Sequence, residues 1–244
     1  MKPYKLIVTM DEKDIMNVEK HCIHLEHGDK SEKVPALPLI DVIEVRLDLM
    51  SKLFIKNELP VYLRRFKKSV LFTYRKSTDA SLITQLDLAF PDIEDLLYEF
   101  NNPENYVDIE IDSNESIFLK LGDTNINYNV ILSYHNFEKT LRGIEIMHYI
   151  NMGLKNFQFN YKPIFKFAVT PQSLDELFHF LLEIKAISSM HKMIGVAMGE
   201  IGSLSRAFGD KFGCSYSYAC LEEPKAPGQI TMEMYYKLRH PHYF

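Results

Sequence analysis

Apolar residues fall into short β-branched and aromatic runs set at even intervals, with longer stretches of mixed polarity between them. The runs are Lys5–Met10, Ile43–Leu49, Ser69–Arg75, Tyr106–Ile111, Asn129–His135, Ile164–Thr170, Lys192–Met198 and Cys214–Cys220, eight in all. Most stretches between them carry helix signals. Residues 11–26 are long and mixed enough for a helix, and residues 83–100 space Leu86, Leu88, Ile93, Leu96, Leu97 and Phe100 around Pro91, which predicts a break into two helices. Shorter helices are expected over 141–150, 204–211 and 230–238. Ser173-Leu174-Asp175-Glu176 is a capping box ahead of Leu177, Phe178, Phe180, Leu181, Leu182 and Ile184. No Ser/Gly linker or repeat divides the alternation, so an α/β fold, a single (β/α)8 TIM barrel over residues 1–244, is expected.

Period-two alternation within the runs then sorts their faces. In the second run Ile43, Val45, Leu47 and Leu49 share one face and Glu44, Arg46 and Asp48 the other, so the charged face must look into the barrel. The same parity turns Thr73, Arg75, Asp108, Glu110, Ser133, His135 and Lys166 inward. In the eighth run it assigns Cys214, Tyr216, Tyr218 and Cys220 to the outer face and small Ser215, Ser217 and Ala219 to the inside. Charges in a barrel interior are costly unless paired, and a purely structural barrel would carry Val, Ile or Leu there. Mutual neutralisation accounts for Asp48, Asp108 and Glu110 as well as catalysis does. Arg75, His135 and Lys166 stand near the C-terminal ends of their strands, where barrel enzymes keep their chemistry. Lys166 is the anomaly: a buried amine without a counter-charge loses its proton and becomes a nucleophile toward carbonyls.

Composition narrows the classes. A net charge of −5 gives no nucleic-acid footprint, and the basic cluster Arg64-Arg65-Phe66-Lys67-Lys68 fits the polar face of a helix. No apolar run is long enough to span a membrane. Three cysteines, Cys22, Cys214 and Cys220, form no CxxC pair; a reducing, cytoplasmic setting is expected. His21, His24 and His27 lack a further ligand set and are expected on a solvated helix face rather than at a metal.

Taken in order, Glu44-Val45-Arg46-Leu47-Asp48, Phe72-Thr73-Tyr74-Arg75, Ser133-Tyr134-His135-Asn136-Phe137, the Lys166 strand, Gly202-Ser203-Leu204-Ser205-Arg206 and Ala226-Pro227-Gly228-Gln229 resemble type I 3-dehydroquinate dehydratase over nearly the whole chain. The resemblance implies a hydro-lyase of the shikimate pathway, toward chorismate and the aromatic amino acids, acting on 3-dehydroquinate without metal or cofactor. It implies a Schiff base on Lys166, general acid/base work by His135, and a homodimer. It also implies that Asp79, where the family usually has Glu, orients His135. Glu44, Arg46 and Arg75 are implied for the substrate hydroxyls, Arg206 for the carboxylate, Gln229 as a closing residue and Thr9 as a further contact. Arg206 follows a Gly/Ser loop at a helix start, where N–H groups and the helix dipole would assist its grip on a carboxylate. Met198, inward at the end of its strand, would wall the imine from water. Lys225 stands where the family commonly has serine; it is expected to reach the carboxylate or leave a gap for water, with affinity altered and chemistry intact. The rival readings are a class I Schiff-base aldolase on a similar barrel and an inactive ligand-binding barrel.

Overall fold

The computed structural model describes residues 4–27, 30–75, 88–112, 118–119, 127–156 and 162–239. In order these form β1 (Lys5–Met10), α1 (Glu12–Asn17), β2 (Cys22–His27), β3 (Lys30–Pro35), β4 (Val42–Arg46), α2 (Lys52–Asn57), α3 (Leu59–Phe66), β5 (Ser69–Thr73), α4 (Phe90–Glu99) and β6 (Tyr106–Glu110). There follow β7 (Asn129–Asn136), α5 (Gly143–Asn156), β8 (Ile164–Val169), α6 (Leu174–Ile187), β9 (Lys192–Ala197), α7 (Ser203–Phe208), β10 (Tyr216–Cys220) and α8 (Met232–Arg239).

Eight strands make one parallel sheet in the order β10-β1-β4-β5-β6-β7-β8-β9. It curls into a nearly closed barrel, because a bridge between Met193 and Cys214 joins its two edges and the Ser215 N–H donates to the Met193 carbonyl at 2.9 Å. Each strand of this sheet overlaps one of the eight apolar runs. The faces divide as period two requires. Ile43, Val45, Val107, Ile109, Phe165 and Phe167 are buried in the layer under the helices, where a fully buried side chain of this size contributes roughly 1.5–3 kcal/mol. Ile7, Val42, Leu71, Ile131, Ile164 and Ile194 form a separate apolar floor inside the barrel.

Neighbours across a parallel ladder share a face, and the register stacks the polar inward residues above that floor. Thr9 pairs with Glu44, Arg46 with Thr73, Thr73 with Asp108, Glu110 with Ser133, and Ser133 with Lys166. A ring of polar side chains at the strands' C-terminal ends is therefore a consequence of register.

Several elements differ from expectation. Helix α1 ends at Asn17, and the residues that follow form the antiparallel pair β2–β3. Ile23 and Leu25 alternate with polar neighbours at period two, a strand pattern, and Ile23 is fully buried. His21 and His24 thus sit beside Glu222 and Glu233 at 3.4 and 3.8 Å rather than on a helix face. Pro91 stands in the first turn of α4, where a proline forfeits no helical hydrogen bond, so the second of the two helices expected around it is present; the first would fall on residues 83–87, outside the described set. On β10 the parity is reversed. Tyr216 and Tyr218 belong to the interior cluster, while Ala219 lies in the outer core and the Ser217 hydroxyl donates to the Arg206 carbonyl.

Candidate active site

The barrel mouth is lined by Thr9, Glu44, Arg46, Thr73, Arg75, His135, Lys166, Ala168, Val196, Met198, Arg206, Tyr218, Ala226 and Gln229 around a cavity of about 70 Å³. Small-molecule pockets run from roughly 300 Å³, so this cavity is narrow as it stands. A larger cavity of about 910 Å³, bounded by Tyr4, Lys162, Phe165, His191 and Lys192, involves none of the residues predicted for the site.

Asp108 on β6 is the hub. Its Oδ2 lies 2.9 Å from Arg75 Nη2 and accepts from Lys166 Nζ at 3.0 Å. Its Oδ1 accepts from the Ser133 hydroxyl at 2.5 Å, and that hydroxyl in turn accepts from Arg75 Nη1 at 3.1 Å. Burial alone would raise the Asp108 carboxyl, yet Arg75 and then Lys166 hold it well below the usual carboxylate range. Lys166 is 6 % exposed, so it is as buried as the alternation predicts. The expectation of an amine without a counter-charge is not met: Asp108 supplies one, and the Tyr218 ring lies 4.4 Å below the ammonium.

His135 ends β7 with 15 % of its side chain exposed and its Nδ1 3.4 Å from Glu110 Oε1. Glu110 also sits 3.1 Å from Arg75 Nη1. Burial, followed by the Arg75 charge, pushes the imidazole down to about 4. A neutral ring is therefore the resting state near neutral pH, and a proton on the Glu110 side leaves Nε2 as the free base. Glu110 is the carboxylate that approaches the imidazole, whose Nδ1 makes no hydrogen bond among the described residues; Asp79, expected to orient the ring, lies outside the described residues.

The remaining groups divide into paired and unpaired. Arg46 grips Asp48 with both arms of its fork, at 3.0 and 2.6 Å. Asp48, in the turn after β4, also accepts the Arg75 N–H at 3.2 Å. Glu44 accepts from the hydroxyls of Thr9 at 2.6 Å and Thr73 at 2.9 Å. Gln229 Nε2 donates to Thr9 Oγ1 at 2.8 Å. Arg206 is different. Its side chain is buried with no carboxylate at ion-pair distance and with Nε unbonded among the described residues; Nη2 donates only to the Pro227 carbonyl at 3.3 Å. Burial pulls this guanidinium down to about 10. A dry cation facing a cavity is an anion site by charge alone. Arg206 is the fourth residue of six in α7, not its first, so the helix N-terminus does not assist it as expected.

Lys225 does not join the lining. Its ammonium turns away to Asp11 and Asp14, at 2.5 and 3.2 Å, so of the two expectations for it the reach toward the substrate carboxylate is not met. Tyr218 was missed, because a tyrosine and a serine alternating on a strand give no sign of which face is inside.

A sequence model described as type I 3-dehydroquinase matches residues 21–240. The chain belongs to the type I 3-dehydroquinase family. Among its relatives in this family, the 3-dehydroquinate dehydratase of Streptococcus pyogenes serotype M5 is 30 % identical over 213 residues, 84 % of this chain and 89 % of the relative. That of Streptococcus equi subsp. zooepidemicus is 29 % identical over 198 residues, 79 % and 83 % of the two chains. The crystal structure of the 3-dehydroquinate dehydratase from Aquifex aeolicus superposes with a TM-score of 0.70 at 25 % identity, covering 98 % of this chain and 99 % of that one. The Geobacillus kaustophilus enzyme shares the fold at a TM-score of 0.74 and 19 % identity, over 98 % and 90 % of the chains.

Proposed function

We propose that this 3-dehydroquinate dehydratase, a hydro-lyase by its family membership, works through an imine between Lys166 and the ketone of 3-dehydroquinate, with His135 moving the protons. The observation that carries the assignment is the meeting of Lys166, neutral His135 and unpaired Arg206 on one small cavity.

Lys166 gives a proton to His135 and adds to the ketone carbon. The carbinolamine hydroxyl takes that proton and leaves as water, so the iminium carries the positive charge that the ammonium had, still beside Asp108. The iminium draws electrons from the neighbouring C–H bond, and His135 removes that proton. The enamine then expels the hydroxyl, protonated by His135, to give a conjugated iminium, and a further water molecule hydrolyses it to release 3-dehydroshikimate and the Lys166 ammonium. Arg206 holds the substrate carboxylate, Glu44, Arg46, Arg75, Thr9 and Gln229 the hydroxyls, and Met198 shields the imine. Glu110 orients His135, leaving Asp79 as a further support from outside the described residues. The unpaired Arg206 and the His135–Lys166 pairing favour this over a class I aldolase or an inactive barrel.

Lys166→Ala and His135→Ala should each cut turnover by about 10³-fold or more, of the order expected when a nucleophile or acid/base is removed, while circular dichroism is unchanged. Retention of more than a tenth of turnover in either variant would remove that residue from the mechanism.

We further propose one barrel domain over residues 1–244, in the cytoplasm, assembled as a homodimer. Leu174, Phe178 and Leu182 line one stripe of α6 and are each about half exposed, an apolar face suited to a second copy. Sedimentation equilibrium should return twice the 28.5 kDa chain mass; a monomer at micromolar concentration contradicts it.

A further inference from the structure

Lys225 is nearly as buried as Lys166, yet it is not among the residues lining the cavity at the barrel mouth. Its ammonium sits between Asp11 and Asp14, which are already engaged with each other: the Asp14 N–H donates to Asp11 Oδ1 at 3.0 Å, and the Asp11 N–H to Asp14 Oδ2 at 3.3 Å. Two carboxylates held this close need a cation. Burial and the Asp11 charge push Asp14 up, whereas Lys225 holds Asp11 down against the effect of burial. The pair therefore grips Lys225 from a helix rooted at the end of β1.

The backbone of Lys225 faces the other way. Its N–H donates to Gln229 Oε1 at 2.7 Å, which leaves Gln229 Nε2 for Thr9 and the Ala219 carbonyl. Its carbonyl accepts from Arg46 Nη1 at 3.4 Å. One residue thus ties the loop after β10 to α1 through its side chain and sets two cavity-lining side chains through its main chain.

We propose that Lys225 is a positioning residue, clamped by Asp11 and Asp14 so that its main chain holds Gln229 and Arg46 ready for the substrate hydroxyls. This rests on the assignment of the cavity as the substrate site. Because these contacts serve bound substrate and transition state alike, loosening the clamp weakens binding more than chemistry.

The test is steady-state kinetics on full-length Lys225→Gln, Lys225→Arg and Asp14→Asn, with the Lys225→Gln/Asp14→Asn double variant. Lys225→Gln is expected to raise KM for 3-dehydroquinate about tenfold with kcat within about twofold, and Lys225→Arg to restore most of the loss. Asp14→Asn, which keeps an amide for the helix cap, should raise KM less, and the double variant should show no added effect, as partners in one contact do. Should Lys225→Gln fail to fold, the Asp14→Asn and Lys225→Arg pair decides alone. An unchanged KM, or a fall in kcat at constant KM, overturns the proposal. Borohydride trapping of 3-dehydroquinate on the wild-type enzyme separates the two levels: trapping at Lys166 with an unchanged KM in Lys225→Gln refutes only the clamp, whereas no trapping removes the site assignment under it.

Discussion

At the scale of single residues, the chemistry depends on which charges are satisfied within the barrel. Asp108 is shared by Arg75 and Lys166, Asp48 by Arg46 and the Arg75 N–H, while Glu44 meets only hydroxyls and Arg206 meets no acid among the described residues. The two groups left without ionic partners are those an acid bearing several hydroxyls can satisfy. His135 carries a pH prediction. Its folded-state value of about 4 lies below histidine's ordinary 6.5, so the unfolded chain binds the extra proton first. The contribution of neutral His135 to stability is complete above pH 6.5 and is lost as pH falls toward 4. For catalysis the same shift keeps the base competent across that window. The acid limb of kcat/KM should bend near pH 4, with circular dichroism confirming the fold at each point; a limb centred near 6.5 would mean that the imidazole is not the buried base described. Lys166 was legible from the alternation of its strand, because a lone lysine between Phe165 and Phe167 has to face the interior. Its counter-charge was not, because Asp108 lies two strands away and only register reveals the pairing.

At the scale of elements, the barrel strands other than β10 were readable because each presents an apolar face to the helices. Helix limits were less so. The Ser173 N-cap formed, with Glu176 N–H donating to Ser173 Oγ at 3.2 Å, although the Glu176 carboxylate accepts from the Gln172 N–H rather than closing a capping box, whereas residues 18–27 were misread since a short alternating run can pass for part of an amphipathic helix. The faces of β10 were unreadable for a further reason: both are buried, so apolarity cannot choose between them. Register with β1 chooses, pairing Tyr218 with inward Ile7. The loops that finish the site meet at Gly228 and Gly199, both with φ above +60°. A Cβ on Gly228 would lie 2.1 Å from the Gly199 carbonyl oxygen, so the Pro227-Gly228 turn fits only without a side chain. Gly228→Ala should cost about 1–3 kcal/mol in strain and raise KM, because Gln229 is displaced with the turn; urea unfolding and steady-state kinetics read both, and a variant equal to wild type in each would show that the turn is not so confined.

At the scale of the whole molecule, the barrel is a device for bringing distant residues to one place. Thr9 and Gln229 lie at opposite ends of the sequence yet share a hydrogen bond, because β10 returns to pair with β1. The same closure puts Tyr218 under Lys166 and brings Lys225 to α1. Fold and family were legible from ordered motifs on evenly spaced strands, whereas the clamp at Lys225 and the roles of Glu110 and Tyr218 depend on contacts between segments that no local pattern encodes. The chemistry requires an amine inside the barrel to form a bond to substrate. Sodium borohydride added to the enzyme with 3-dehydroquinate, followed by peptide mass mapping, tests it most directly: a stable adduct on the peptide containing Lys166, absent in Lys166→Ala, is the expected result, and an adduct on another lysine or none at all would contradict it.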